Sequence, residues 1–332
     1  MNTLLTSDWH LTDRVIDSYR LRFVRETLPE LIRRYSVEWL LILGDLTEQK
    51  DRHSAVLVNA VVGALTRLSD RVKVTVVQGN HDYYLDPSSP FFGFINNMPN
   101  MGWVGHAQMI DTDRGWMAVP HLKTNAELLL VVSAPESAAC KVMFTHATFA
   151  GAKDRGHELR GLDRSIIRPG IDVYSGDVHV PQTVGPVTYV GAPYPIYFGD
   201  TFPPRVVLLD DAGGRSIEVP GPRKLMVNLD ASAGEYQSDA RVGDIVSLRV
   251  NLTADQVADW QRLRARAITW ANLAGLMVAS VAMVPPQGLR PVGEATRSQR
   301  VPDDAMVRSY GERRGLDADT VKAGLNLIKD ES

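Results

Sequence analysis

The chain has 332 residues, of which 44% are hydrophobic and 23% charged, with a formal net charge of −3. These are globular values that exclude extended disorder, and the charge excludes a uniformly basic coat for nucleic acid. The single cysteine, Cys140, excludes an intrachain disulfide. The length suits one large domain with a smaller appendage. Met1–Trp9 carries no basic stretch leading into an apolar run, and no apolar run reaches the ~18 residues of a membrane span. The expected setting is therefore the cytoplasm, with no membrane partner.

In chain order, Thr3–Thr6 reads as a short strand. Val15, Ile16, Tyr19, Phe23, Leu28, Leu31 and Ile32 mark a helical stripe over Arg14–Tyr35. Trp39–Leu43 is an unbroken apolar run ended by Gly44, as in a strand buried on both faces. Ser54–Leu68 is helical, and Val72–Val77 is β-branched and stops at Gln78–Gly79. This alternation predicts an α/β fold with helices against a sheet. Lys141–Phe144, Ile171–Tyr174 and Thr188–Val190 are further strands, with Val206–Leu209 expected as the last of this layer. Ile217–Val284 reads as a small α+β module. It has strands at Lys224–Leu229, Asp244–Leu252 and Leu276–Val284 and a helix at Val257–Leu273. Pro285–Pro286 opens a Pro-, Gly- and Arg-rich stretch, and Asp304–Asp330 regains helical spacing. The expected division is a domain at 1–215, a capping module at 216–285, a linker at 286–303 and a C-terminal helical segment at 304–332.

Five segments place metal-binding side chains directly after apolar runs. They are Asp8–Trp9–His10, Gly44–Asp45–Leu46–Thr47–Glu48, Gly79–Asn80–His81–Asp82, Thr145–His146–Ala147 and Gly176–Asp177–Val178–His179. In an open α/β sheet, ligands gather beyond the carboxyl ends of the strands. Loops there can present polar groups without burying them unpaired. Each segment alone would be an ordinary turn or a buried histidine. Five in succession, each after a strand, point to one centre. Mixed carboxylate, imidazole and amide donors suit Mn²⁺, Fe²⁺ or Zn²⁺.

These five segments resemble the signature of the calcineurin-like metallophosphoesterase superfamily, across roughly Met1–Leu209. The resemblance implies a two-layer β-sandwich flanked by helices, holding two divalent ions. Carried over, Asp8, His10, Asp45 and His179 hold one ion. Asp45 bridges to a second, held by Asn80, His146 and Asp177. His81 is the catalytic histidine, close to the phosphate and not a ligand, with Asp82 or a backbone group orienting it. The implied reaction is in-line attack by a water bridging the two metals, about 4 Å apart. The family's last motif usually begins Gly-His, whereas this chain has Gly176–Asp177. A carboxylate there either ligates, favouring Mn²⁺ over Zn²⁺ (Fe²⁺ and Mg²⁺ being the other candidates), or points away and leaves the second site weak.

The flanks are similar to those of SbcD-type DNA repair nucleases: His179–Val180–Pro181–Gln182, Tyr189–Val190–Gly191–Ala192–Pro193 and Phe198–Gly199–Asp200. The capping module and the C-terminal segment fit that likeness. It implies an exo- or endonuclease on DNA with an SbcC-type SMC-like ATPase subunit as partner, and a homodimer is a further candidate. Relatives often carry histidine where this chain has Glu48, which sets Glu48 behind the ligands and questions exonuclease action on duplex ends. Other readings are a phosphoesterase on a phosphoprotein or cyclic nucleotide, and a non-catalytic DNA-binding scaffold subunit. Tyr83 and Tyr84 either stack on bases or pack. Arg52 and His53 line the groove or begin a solvated helix. Arg155, Arg160, Arg164 and Arg168 contact phosphates or form surface ion pairs. His121 and His157 are not expected to be ligands.

Overall fold

The computed structural model describes residues 1–286. The linker expected at 286–303, apart from Pro286, and the helical segment expected at 304–332 lie outside the described residues.

The chain starts with β1 (Thr3–Thr6), α1 (Ser18–Arg22), α2 (Leu28–Arg34), β2 (Trp39–Leu43), α3 (Ala55–Ser69) and β3 (Lys73–Val77). The stripe over Arg14–Tyr35 is one helical stretch but not one regular helix. A π turn, Phe23–Thr27, separates α1 from α2, and Leu28 N–H reaches back five residues to the Phe23 carbonyl. Pro29, at the start of α2, has no N–H and its ring crowds the preceding turn; the wider π turn absorbs it. Helix α3 is capped by Ser54, whose hydroxyl accepts from Leu57 N–H at 3.1 Å.

Four short strands and a helix then follow, most of them outside the sequence expectation. They are β4 (Met101–Val104), β5 (Gln108–Asp111), β6 (Trp116–Val119), α4 (Asn125–Ser133) and β7 (Val142–His146). Helix α4 begins in a capping box, with Thr124 and Glu127 satisfying each other's backbone N–H groups. A two-stranded ribbon, β8 (Lys153–Asp154) and β9 (His157–Glu158), precedes β10 (Asp172–Gly176), β11 (Gln182–Val184) and β12 (Val187–Tyr189). Then come β13 (Arg205–Asp210) and β14 (Gly213–Glu218).

Two six-stranded sheets result, ordered β14-β13-β1-β2-β3-β4 and β11-β12-β10-β7-β6-β5. Strands β1 to β4 are mutually parallel, as are β6, β7, β10 and β12. The sheets face each other across Leu5, Leu41, Leu43, Val77, Phe144 and Val207. The outer face of the first sheet packs on α1, α2 and α3 through Leu4, Leu40, Ile42, Phe23, Val61 and Leu65. The outer face of the second packs on α4 through Val119, Met143, Val173 and Leu128. Burial on both faces is why β2 reads as a continuous apolar run. The expected sandwich flanked by helices is the observed fold. Val206–Leu209 is not the last strand of the layer, however. It forms a hairpin with β14, whose pairing runs to Glu218, past the boundary expected at 215.

Strands β15 (Lys224–Asp230), β16 (Ile245–Asn251) and β17 (Met277–Val284) form a separate parallel sheet that packs on α5 (Trp260–Leu273). Its core includes Leu229, Leu248, Val250, Leu263 and Ala267. Lys224, the first residue of β15, reaches into the large domain and donates to Asp17 at 3.1 Å and to the Ile196 carbonyl at 3.0 Å. Among the described residues, no helix is long and apolar enough to cross a membrane.

Candidate metal centre

Five parallel strands end at one edge of the sandwich. Asp8 and His10 follow β1, Asp45 follows β2, and Asn80 and His81 follow β3. From the facing sheet, His146 closes β7, and Asp177 and His179 follow β10. The turns are tight. Asp8, His10, Asp45 and Asp177 all have left-handed backbones, with φ of 54°, 42°, 59° and 74°. Non-glycine residues rarely adopt this conformation, at about 1–3 kcal/mol each, and such strain collects at functional sites. Gly44 has φ of 86° and lies so close to His146 that a Cβ would strike its Nδ1. Glycine there lets the two sheets close on the centre.

The side chains meet in two overlapping groups. In one, His10 Nε2 lies 3.1 Å from His179 Nε2 and 3.3 Å from Asp45 Oδ2. Asp8 lies beside His10 and His179, with Oδ2 buried and unpaired. In the other, His146 Nε2 lies 3.4 Å from Asp45 Oδ1, 3.1 Å from Asn80 Oδ1 and 3.6 Å from Asp177 Oδ1. Asp45 thus turns one oxygen toward each group. Asn80 turns its side-chain amide toward Asp45 and His146. Acceptors crowded at these distances repel unless a cation sits among them. The donor set therefore fits divalent metal ions in both groups.

The electrostatics agree. Burial pushes Asp8 up to about 6, with His146 pulling the other way. Burial would raise Asp45 too, but His146, His10 and His81 outweigh it and hold Asp45 far below the usual carboxylate range. His146 is buried as well, yet Asp45 and Asp177 raise it well above an ordinary histidine. His179 is pushed down to about 3 by burial and by the neighbouring His10. Without metal, positive charge on His146 partly offsets the carboxylates, a role a divalent ion would take over.

Surrounding groups hold these side chains in place. His146 Nδ1 is 2.7 Å from the Leu43 carbonyl, so Nε2 faces the centre. Thr148 Oγ1 donates to Asp177 Oδ2 at 2.5 Å, turning Oδ1 inward. Glu48 contacts His10 Nδ1, and the buried Arg20 donates to the His10 carbonyl at 2.6 Å. The Asp200 carboxylate accepts from the Ile196 and Tyr197 N–H groups, and the Tyr197 ring lies over His179 at 5.5 Å. Arg20, Thr148 and Tyr197 carry no motif, and only their neighbours in space reveal them.

His81 sits at the rim of the first group, its ring edge-on to His10 at 4.8 Å and a ring nitrogen within 4.8 Å of ligand atoms of His10 and Asp45. Its Nδ1 donates to the Glu48 carbonyl at 2.7 Å, leaving Nε2 free. Asp82 does not orient His81. Its carboxylate is buried under the turns and accepts from Asp45, Leu46 and Gly79 N–H groups. Tyr83 is not available for stacking on bases. It is buried, and its hydroxyl meets His121 Nδ1 at 3.1 Å. Tyr84 is exposed. His53 packs against Phe91 at 4.1 Å and pairs with Thr47, so it does not line the groove; Arg52 is exposed beyond it. Arg155 does reach the cleft, over the Tyr197 ring at 4.8 Å. Arg164 and Arg168 instead donate to the carbonyls of Ala150 and Ser137. A cavity of about 220 Å³ opens above His10, Asp45, Asn80 and His81.

Facing sheets with carboxylate, imidazole and amide groups at converging strand ends define a metallophosphoesterase architecture. The chain matches the calcineurin-like phosphoesterase family over residues 1–181, more than half its length, and belongs to that family. It is accordingly a metal-dependent hydrolase of phosphate esters. No curated protein matches the chain.

Proposed function

We propose that this hydrolase cleaves DNA phosphodiesters, as an SbcD-type nuclease subunit with a divalent metal pair, most suitably Mn²⁺. The observation that carries the reading is the pair of ligand groups sharing Asp45, with the free Nε2 of His81 beside them. In this reading Asp8, His10, Asp45 and His179 form one site, and Asp45, Asn80, His146 and Asp177 the other. The second offers three oxygen donors to one nitrogen, which favours the harder Mn²⁺ over Zn²⁺. Two ions supply Lewis-acid charge stabilisation to a phosphate and acidify water.

The chain's own residues do the rest. Water, having given up one proton to solvent, attacks phosphorus in line as hydroxide; the bond to the leaving oxygen breaks, and that oxygen takes the Nε2 proton of the doubly protonated His81 ring, which solvent then restores. The Glu48 carbonyl holds the His81 ring at the angle this transfer needs. Arg155 lines the cleft, and a cation there suits the backbone of an anionic strand. The three-stranded module then acts as the cap that presents DNA, and an SbcC-type ATPase is the partner, in the cytoplasm.

Glu48, in place of a histidine common among nuclease relatives, favours a second reading: hydrolysis of a small phosphoester such as a cyclic nucleotide. Defined single- and double-stranded oligonucleotides in Mn²⁺, assayed beside bis-p-nitrophenyl phosphate and cyclic nucleotides, separate the two. Cleavage of oligonucleotides supports the nuclease. Turnover of cyclic nucleotides with oligonucleotides left intact selects the small-substrate enzyme.

A further inference from the structure

A second cavity, of about 480 Å³, adjoins the metal centre on the His146 side. Asp177 lines both cavities, so the two lie side by side. Thr148, which holds Asp177, lies in the wall between them. The wall of this cavity carries Lys123 and Arg160, both exposed. Among the described residues, neither has a carboxylate within ion-pair distance. The Lys123 ammonium stands 5.3 Å over the ring of the buried Tyr83, which steadies it above the cavity. Tyr83 is itself braced by His121, another residue of this wall. Glu127, in the first turn of α4, turns its carboxylate to the Lys123 and Thr124 backbone N–H groups and makes no ion pair with the Lys123 ammonium.

Two free cations on the wall of a cavity that adjoins a phosphate-processing centre call for a second anionic group of the same substrate. A phosphomonoester or a cyclic nucleotide has none to offer, whereas a polynucleotide has one on each neighbouring nucleotide. We propose that this cavity is a subsite for the backbone phosphate next to the one being cleaved, with Lys123 and Arg160 as its binding residues. The proposal rests on the nuclease reading and narrows it to substrates of at least two consecutive phosphates. Phosphate contacts of this kind set register without reading sequence, so the subsite would fix where along a strand the scissile bond falls.

The test uses the full-length chain, wild type and Lys123→Ala/Arg160→Ala, with melting temperature confirming that both fold. Binding of a fluorescein-labelled single strand of about ten nucleotides, with cleavage-resistant phosphorothioate linkages, is followed by anisotropy in Mn²⁺ over a range of salt. The expected result is a Kd about tenfold weaker in the variant. The slope of log K against log salt should fall by about 0.7 for each phosphate that the variant no longer neutralises. In Mn²⁺, loss of kcat/KM on the oligonucleotide should exceed the loss on bis-p-nitrophenyl phosphate at least fivefold. An unchanged Kd and salt slope overturns the subsite. So does an equal loss on both substrates, which would place the two residues in service of the metal centre. A wild type that hydrolyses bis-p-nitrophenyl phosphate but neither binds nor cuts the oligonucleotide overturns the nuclease reading itself, and the subsite with it.

Discussion

The Glu48 carboxylate lies 3.2 Å from Nδ1 of His10 and 3.6 Å from the buried Arg20 guanidinium. The contact with His10 pulls Glu48 down to about 2, so it stays ionised throughout the working range. Burial opposes charge on His10, yet Glu48 together with Asp45 and Asp8 raises its pKa. His10 Nε2 faces Asp45 and His179 while the Glu48 charge lies behind the ring, which strengthens His10 as a ligand. Glu48→Ala should weaken metal binding at the Asp8, His10, Asp45 and His179 site about 10–100-fold, with Glu48→Gln losing less. Calorimetric titration of the apo variants with Mn²⁺ reads both. Wild-type affinity in Glu48→Ala would show that the contact is idle.

Asp45 and His81 are expected to fail in different ways. Asp45 faces both ligand groups, so Asp45→Ala should lose bound metal as well as activity. His81→Ala should keep its metal and lose about 10²–10⁴-fold in turnover, the usual worth of a general acid. Metal content of each purified variant is the deciding measurement. A metal-free His81→Ala would move His81 from the chemistry to the ligand set.

Asp17 ties the three-stranded module to the centre, through Lys224 on one side and Arg20 on the other. The Asp17 side chain is fully buried and that of Lys224 nearly so. Lys224→Met should therefore cost about 3–5 kcal/mol by stranding Asp17 among fewer cations, and the further change Asp17→Asn should recover part of it. Double-mutant melting measures the coupling, and strict additivity would deny it.

The same network carries a pH signature. Burial would raise Asp17, but Arg20 and Lys224 outweigh it and hold its carboxyl below the usual range. Lys224 is itself lowered by burial and by Arg20, with Asp17 opposing, so part of the pair's gain is spent on desolvating the ammonium. Asp17, facing Arg14, Arg20 and Lys224, sets the sign in acid. A depressed carboxyl stabilises the fold above the ordinary carboxylate pKa, and this stability is lost as pH falls through that pKa toward the lower native one. The melting gap between wild type and Asp17→Asn should accordingly be widest near neutrality and shrink in acid. A gap independent of pH would remove Asp17 from the account.

Metal should also stabilise the fold, because Asp8 Oδ2 is buried and lacks a donor. At a free Mn²⁺ concentration of about 100 times Kd the gain is about 2.7 kcal/mol, or roughly 5–10 °C in Tm for a domain of this size. Stripping with EDTA should lower Tm by that amount, and added Mn²⁺ should restore it. A Tm indifferent to both would mean that the centre does not bind the ion.

The parallel strands β1, β2, β3, β7, β10 and β12 and the positions of the polar strand-end residues were legible in the sequence, since both are local. A strand buried on both faces must be a continuous apolar run, as Trp39–Leu43 is, and the turn after it must carry the polar groups that the interior cannot. Edge strands such as Gln108–Asp111 were not legible, because half-exposed positions impose no pattern. Nor could the sequence assign Asp82, which lies beside His81 along the chain yet bonds to the turn of another strand. Tertiary structure alone decided that Tyr83 packs, that Asp177 turns inward under Thr148, and that Arg20 backs His10. Each of these depends on which distant segment arrives beside the residue. Two sheets meeting at their strand ends settle that, and no spacing along the chain encodes it.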